Sequence, residues 1–208
     1  MSNNKLTIVI VSHYRPTFLK RCLDYQMQYE NVDIIVSDST DKYFKEIGNY
    51  PSVRYLHYPD ECQYKKTNDT LNYVKTPYTV LLADDDFIVL KNALKCVDFL
   101  ENNSGYSAAM GQVIRFKFNK KENKYDWFTD NANIRSIENN KPEDRVLSHF
   151  KHYGFSLFAA VTRTEVLKDT WGKFRTYDFK NEFRFAELII NMVPLFRGKT
   201  KFLDCLYS

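Results

Sequence analysis

Short apolar runs alternate with helical spacings along the first half of the chain. Leu6–Val11, "LTIVIV", is rich in β-branched residues and predicts a buried strand. Pro16 stands where a helix can begin, and Phe18, Leu19, Cys22, Leu23 and Met27 follow at helical spacing. Val32–Ser37, "VDIIVS", predicts the second strand and Val53–Tyr58, "VRYLHY", the third. A helical pattern from Tyr64 to Val74 leads through Pro77 to a fourth strand, "YTVLLA". Lys91–Leu100 is helical again, with Ala93, Leu94, Val97 and Leu100 on one side. Repeated βα units predict an α/β fold with a mainly parallel sheet flanked by helices on both faces.

After Gly105 the rhythm changes. Tyr106–Phe118 is strand-like, and "NKKENKYDWFTDN" after it predicts a hairpin or surface loop. Phe155–Arg163, "FSLFAAVTR", predicts another strand. Phe179–Met192 predicts an amphipathic helix that Pro194 ends. Gly and Pro are scarce, with 6 of each, so no linker divides the 208 residues and a single domain is expected.

Polar clusters follow three of the predicted strands directly: "SHYR" after the first, "SDSTD" after the second and "DDD" after the fourth. Ligands of open α/β sheets bind outside the carboxyl ends of the strands, so these clusters are expected to converge on one edge. Neither G-x-G-x-x-G nor G-x-x-x-x-G-K-[ST] occurs, which argues against dinucleotide oxidoreductases and P-loop enzymes. A diphosphate here would need carboxylates and a metal in place of a glycine loop.

Asp84, Asp85 and Asp86 suit that task. Adjacent carboxylates raise one another's pKa unless they share a cation. In an extended chain Asp84 and Asp86 point to one side while Asp85 turns away. Hard oxygens favour Mg²⁺ or Mn²⁺, held by one or two carboxylates plus phosphates. The alternative is a strand-to-helix turn in which one Asp caps the helix and the others face water.

Charge adds an asymmetry. Residues 1–104 carry 12 Lys+Arg against 14 Asp+Glu, or −2; the remaining 18 against 12 give residues 105–208 +6. That half could meet phosphates or a membrane surface, or be a solvated face. No arginine-rich arm, zinc-finger spacing or RNA-binding aromatic motif points to nucleic acid. No apolar run approaches a membrane span, and the start "MSNNK" does not read as a signal peptide. The four cysteines lack metal-type spacing, so reduced thiols in a cytoplasm are expected.

Taken together, "LTIVIVSHYRPTFLKRCLDY", "VDIIVSDSTD" and "KKTNDTLNYVKTPYTVLLADDDFI" resemble, in order and spacing, the motifs of a family 2 glycosyltransferase of the GT-A type. The match is close over the first half and loose over the second. It implies a Rossmann-like sheet whose first half (1–104) takes a nucleotide-diphosphate sugar, UDP-linked by preference, and whose second half (105–208) takes a glycan or lipid-linked acceptor. Ser12, His13, Tyr14 and Arg15 would line the nucleotide, with Tyr14 against the base and Asp38 bonded to it. Asn68, Asp84 and Asp85 belong to the same donor site; Asp86, helped by Asp84, would hold Mn²⁺ or Mg²⁺. Lys65 and Lys66 could neutralise diphosphate or form a solvated pair. Glu187, in "FRFAELIINM", matches the region of the base that deprotonates the acceptor, with Asp178 and Glu182 as competitors. An apolar run beside it is a setting that raises a carboxyl pKa. Tyr153, Phe155 and Trp171 could stack on sugars or belong to the core.

The chain departs from the family where "SDSTD" lacks a glycine and "AEL" replaces a Glu-Asp pair. It stops at "KFLDCLYS", where members commonly continue, so either a truncated chain or a minimal enzyme is expected. The resemblance implies an inverting transferase of surface-polysaccharide synthesis; the +6 of the second half alone adds peripheral contact at the inner membrane face as an option. The competing classes are a catalytically silent nucleotide-sugar-binding module and a sugar-1-phosphate nucleotidyltransferase; the latter usually has a glycine-rich loop, absent from "SHYRPTF".

Overall fold

The structure, a computed structural model, describes residues 4–129, 134–175 and 183–208. Its centre is a seven-stranded sheet in the order β3-β2-β1-β4-β8-β5-β9. These strands are β1 (Leu6–Ser12), β2 (Asp33–Asp38), β3 (Arg54–His57), β4 (Tyr78–Ala83), β5 (Tyr106–Gln112), β8 (Val161–Arg163) and β9 (Lys199–Leu206). β3, β2, β1 and β4 run parallel; β8 is antiparallel to both β4 and β5; and β9 is parallel to β5. The mainly parallel sheet expected from the βα rhythm is therefore present, with one reversed strand inserted.

Side-chain alternation divides the core in two. Ile8, Ile10, Ile34, Val36, Val80 and Leu82 face the side covered by α1 (Pro16–Gln26) and α3 (Leu90–Asn102). Val9, Ile35 and Leu81 face the opposite side, where α2 (Gln63–Leu71), α5 (Thr164–Gly172) and α6 (Phe183–Arg197) pack. Both faces are buried, which is why these strands read as continuous apolar runs rather than as alternating ones. α4 (Pro142–Lys151) packs on α6. β6 (Ile114–Asn119) and β7 (Lys124–Thr129) form a separate antiparallel hairpin.

Three expectations are corrected. Tyr106–Phe118 is two strands, because the chain terminus docks at the break: Tyr207 N–H donates to Gln112 O (2.8 Å) and Ile114 N–H to Ser208 O (2.8 Å). Of Phe155–Arg163 only Val161–Arg163 is strand. Leu157 N–H is taken by Asn191 Oδ1 (2.8 Å), and Ala160 N–H turns back to Leu157 O (3.1 Å). Pro194 does not end its helix, which continues to Arg197. Neighbouring carbonyls hold that end in place, since Arg145, itself buried, donates to Leu195 O (2.6 Å) and Phe196 O (3.2 Å). The residues before Phe183, including Asp178 and Glu182, lie outside the described residues.

Between Met110 and Gln112 the register jumps from Phe202 to Leu206, so β9 bulges toward β5. Gly111 makes room for it: a Cβ there would stand 2.5 Å from Cys205 O. That obstacle is backbone and cannot rotate away. Gly111→Ala is expected to cost about 2 kcal/mol, lowering the melting temperature by roughly 6 °C in a thermal melt.

Candidate functional site

The register of the central strands assembles the site. Ser12 lies opposite Asp38 on β2, and Val11 lies opposite Ala83 on β4, so Asp84 follows directly beside the end of β1. With strands about 4.8 Å apart, Asp38 and Asp84 flank Ser12 across roughly 10 Å of sheet edge. The polar clusters after β1, β2 and β4 do converge on one edge.

The acidic triplet is arranged differently from the extended geometry expected of it. Asp86 N–H donates to Ala83 O (3.1 Å), so residues 83–86 close a β-turn and Asp84 and Asp86 are not same-side neighbours on a strand. Asp84 is completely buried; its Oδ2 accepts the Ser12 hydroxyl (2.7 Å). Its Oδ1 lies 2.7 Å from Arg15 Nη2, close enough for an ion pair, although without the alignment of a hydrogen bond. Arg15 Nη1 donates to Asp85 Oδ2 (2.8 Å), so one guanidinium serves two of the three carboxylates. Pro16 starts α1 directly after Arg15 and so fixes the backbone from which that side chain reaches back. Burial raises the Asp84 pKa, against the hydrogen bond from Ser12 and the charge of Arg15. The Asp86 carboxylate, unlike its backbone N–H, makes no hydrogen bond or ion pair among the described residues. Its side chain reaches solvent, yet desolvation of the recessed carboxyl, then Asp85, raises its pKa.

Across the edge a second cation borders the cleft from within the fold. Lys66, on α2, is only 1 % exposed. Its Nζ donates to Ser12 O and to Ser39 Oγ (2.9 Å). Burial lowers its pKa to about 8, opposed by Asp38 and Asp84, so it stays mostly protonated at neutral pH. Lys65 instead points outward to Glu61. The pair is therefore not a solvated one. Lys66 shares an inward face with Thr70 and Val74 at four-residue steps, a periodicity that could have located it. A cleft of about 450 Å³ opens over this region, bordered by Ser12, His13, Arg15, Ser39, Lys66 and the start of α2 at Gln63.

Tyr14 is exposed beside the cleft and bonded to Asp60, one of the residues that line it. Its backbone is left-handed (φ 53°), its N–H donates to Thr40 Oγ1 (2.9 Å) and its hydroxyl donates to Asp60 Oδ1 (2.9 Å). The His13 ring meets it edge-on at 4.5 Å and pairs through Nδ1 with Ser39 Oγ (2.9 Å). Asp38 is buried and occupied: Oδ1 accepts from Thr40 N–H (2.9 Å) and Oγ1 (2.7 Å), and Oδ2 from Tyr55 OH (2.6 Å). Asn68, largely buried on α2, donates to Asp69 Oδ1 (3.3 Å).

Glu187 lies on α6, where its carboxylate accepts the Tyr153 hydroxyl. Asn191 fixes that turn by donating to Glu187 O (2.7 Å) while accepting from Leu157 N–H. His149 lies buried below in a ring of aromatics; burial, then Arg135, lowers its pKa to about 4, so it is neutral at pH 7. Trp171, considered above for sugar stacking, is fully buried against Tyr64 and Phe174 and cannot reach a ligand. Tyr153 remains exposed.

Whether a divalent ion suits the acidic turn can be judged from its donors. Asp84 Oδ1 lacks an aligned hydrogen bond and Asp86 is uncommitted, so two hard carboxylates are present. No group of three or more His, Cys, Asp or Glu ligands occurs among the described residues, so phosphate oxygens and water would have to complete the shell. The residues fit an ion that arrives with a diphosphate.

The mainly parallel sheet flanked by helices on both faces, with its polar clusters gathered at one edge, has the architecture of the GT-A fold. The chain belongs to glycosyl transferase family 2, whose description matches residues 7–171. Among solved structures, S. aureus TarS 1–349 aligns with 98 % of this chain at TM-score 0.65 and 12 % identity. The same fragment in complex with UDP aligns at 0.64 and 16 %. In both cases the chain spans 59 % of the TarS fragment. CMP:2-keto-3-deoxy-manno-octonic acid synthetase complexed with CTP aligns at 0.56 with 10 % identity, over 98 % of this chain and 90 % of its own. At these identities the likeness is one of fold. No curated protein matches the chain significantly. No helix among the described residues is long and apolar enough to cross a membrane.

The buried lysine gives a testable pH dependence. Its folded pKa is lowered from 10.5, so the unfolded chain binds more protons between about pH 8 and 10.5 and stability rises with pH over that window. Relative to Lys66→Met, the wild type is expected to gain about 2 kcal/mol between pH 7 and 9.5 in parallel urea melts.

Proposed function

We propose that the protein moves a sugar from a nucleotide-diphosphate sugar, UDP-linked by preference, to a hydroxyl of a glycan or lipid-linked acceptor, with inversion. The observation that carries this reading is the cleft flanked by Arg15 and the buried Lys66. A buried ammonium and a guanidinium beside helix-start N–H groups form a receptor for diphosphate. The UDP complex of TarS, on a similar fold, supports uridine.

In this reading Lys66 and Arg15 hold the diphosphate, and Tyr14 covers the base. Asp38 shapes the base pocket through the Thr40 turn, and contacts the base when Tyr55 releases it. Asn68 braces α2 behind the phosphates. Asp86 with Asp84 would hold Mn²⁺ or Mg²⁺, which when bound stabilises charge on the leaving diphosphate. Binding energy spent on the nucleotide orients the anomeric carbon. Glu187 takes the proton of the acceptor hydroxyl as its oxygen bonds to that carbon. The bond to the diphosphate breaks with its electron pair staying on the phosphate oxygen. Tyr153, whose own pKa is raised by burial and by Glu187, keeps its proton and orients the Glu187 carboxylate. The acceptor is a growing surface glycan presented at the inner membrane face.

One observation favours a second reading, a silent nucleotide-sugar-binding module: Arg15 already occupies two of the three carboxylates. Two measurements separate them. In a thermal-shift panel of UDP-, GDP- and CDP-sugars with and without Mn²⁺, saturation with UDP-sugar and Mn²⁺ is expected to raise the melting temperature by roughly 5–10 °C. Sugar-nucleotide hydrolysis by Glu187→Gln is expected to fall by about 10²–10⁴ at unchanged nucleotide affinity. Protection without any turnover in the wild type establishes the silent module, and undiminished hydrolysis in the variant removes Glu187 as the base.

A further inference from the structure

The β6–β7 hairpin leaves the body of the protein with its aromatic side chains uncovered. Register places Phe116 opposite Trp127 and Phe118 opposite Tyr125, which puts all four on one face. Each is exposed, Trp127 most of all at 66 %, and none belongs to either core cluster. The base of the hairpin is tied down by Ile114 N–H to Ser208 O (2.8 Å). Four exposed rings on a two-stranded ribbon have no folding purpose, since such a ribbon gains little stability by itself.

The surrounding charges indicate what covers them. Lys117, Lys120, Lys121 and Lys124 are exposed around the strands and their connecting turn, and residues 114–129 carry five basic side chains against Glu122 and Asp126, a net +3. The ring types are Trp, Tyr and Phe, the residues that settle at the headgroup level of a bilayer. The geometry does not suit a sugar platform. The rings meet one another tilted or edge-on, at 77° (Phe116 on Tyr125), 49° (Phe116 on Trp127) and 54° (Phe118 on Tyr125), so they form no continuous flat stack. We infer that the β6–β7 hairpin is a membrane-docking element that lays its aromatic face into the interface of an anionic lipid surface and grips the headgroups through its lysines.

The placement has a use at the site. β5 runs in the same direction as β4, since β8 is antiparallel to both, so the hairpin that follows Gln112 leaves from the sheet edge that carries the acidic turn. A hairpin resting on a bilayer would hold the reacting edge at the level where a lipid-linked acceptor is presented. That use rests on the proposed acceptor, but the docking is measured without sugar or nucleotide, so it can fail while donor binding stands, and the reverse.

The chain carries its own reporter. Of its two tryptophans Trp171 is fully buried and Trp127 exposed, so a change in emission on adding vesicles comes from the hairpin. Sedimentation with sucrose-loaded vesicles of phosphatidylcholine, alone or mixed with phosphatidylglycerol, is expected to show association only with the anionic mixture, weakened by salt. Brominated lipid should quench Trp127. Charge reversal of Lys120, Lys121 and Lys124 to Glu should weaken association on the order of 100-fold. Phe116→Ser with Trp127→Ala should weaken it at least about tenfold at an unchanged melting temperature, because the rings are already exposed. Absence of binding to anionic vesicles, or binding unaltered in both variants, overturns the inference. A Trp127 blue shift that follows protein concentration without lipid, with a dimer in sedimentation equilibrium, overturns it in favour of a second copy of the chain.

Discussion

A carboxylate removed from water must find a cation or give up its charge, and Asp84 finds Arg15. That pairing settles the arrangement of the reacting edge. Arg15 stands immediately before the proline that opens α1, so anchoring its guanidinium fixes how the chain leaves β1. The Ser12 hydroxyl on the other carboxylate oxygen stitches β1 to the turn after β4. The same strand end presents the Ser12 carbonyl to Lys66 on the opposite side. Acidic turn, guanidinium and buried ammonium thus form one electrostatic assembly around the last residue of β1. Three aspartates crowded behind a buried strand are tolerable because Arg15 is shared by two of them, while the third reaches solvent.

The first half of the fold was legible because its signals are local. Uninterrupted β-branched runs, a proline at a helix start and polar clusters at strand ends need no knowledge of the rest of the chain. The second half was read less well because its order depends on distant partners. No periodicity in Phe155–Arg163 reveals that the amide of Leu157 is taken by Asn191, or that a docked chain terminus splits Tyr106–Phe118 at Val113. Pro194 inside α6 shows the same limit, since Arg145, far away in sequence, steadies the carbonyls around it.

Within the site, residue types were easier to read than their orientations. The acidic triplet was evident, but its turn was not, because three identical residues carry no pattern to distinguish strand from turn. Lys66 was named only as half of a pair, with a solvated pair as the alternative. Its neighbour Lys65 makes the pair look solvated, whereas the inward face shared with Thr70 and Val74 directs only one of the two into the cleft. Glu187 was located on its helix by motif position alone, and what orients it, the Tyr153 hydroxyl, comes from a segment without regular structure.

Tyr14 holds a left-handed backbone, which costs a side chain about 1–2 kcal/mol, whereas Asp60 at the same φ is of a residue type that visits this region readily. The two are bonded to each other, one from the loop after β1 and one from the loop after β3. A single phenol–carboxylate bond thus ties together corners that lie 46 residues apart in the chain, and the unfavourable turn after β1 is held by a residue that only the folded sheet brings near.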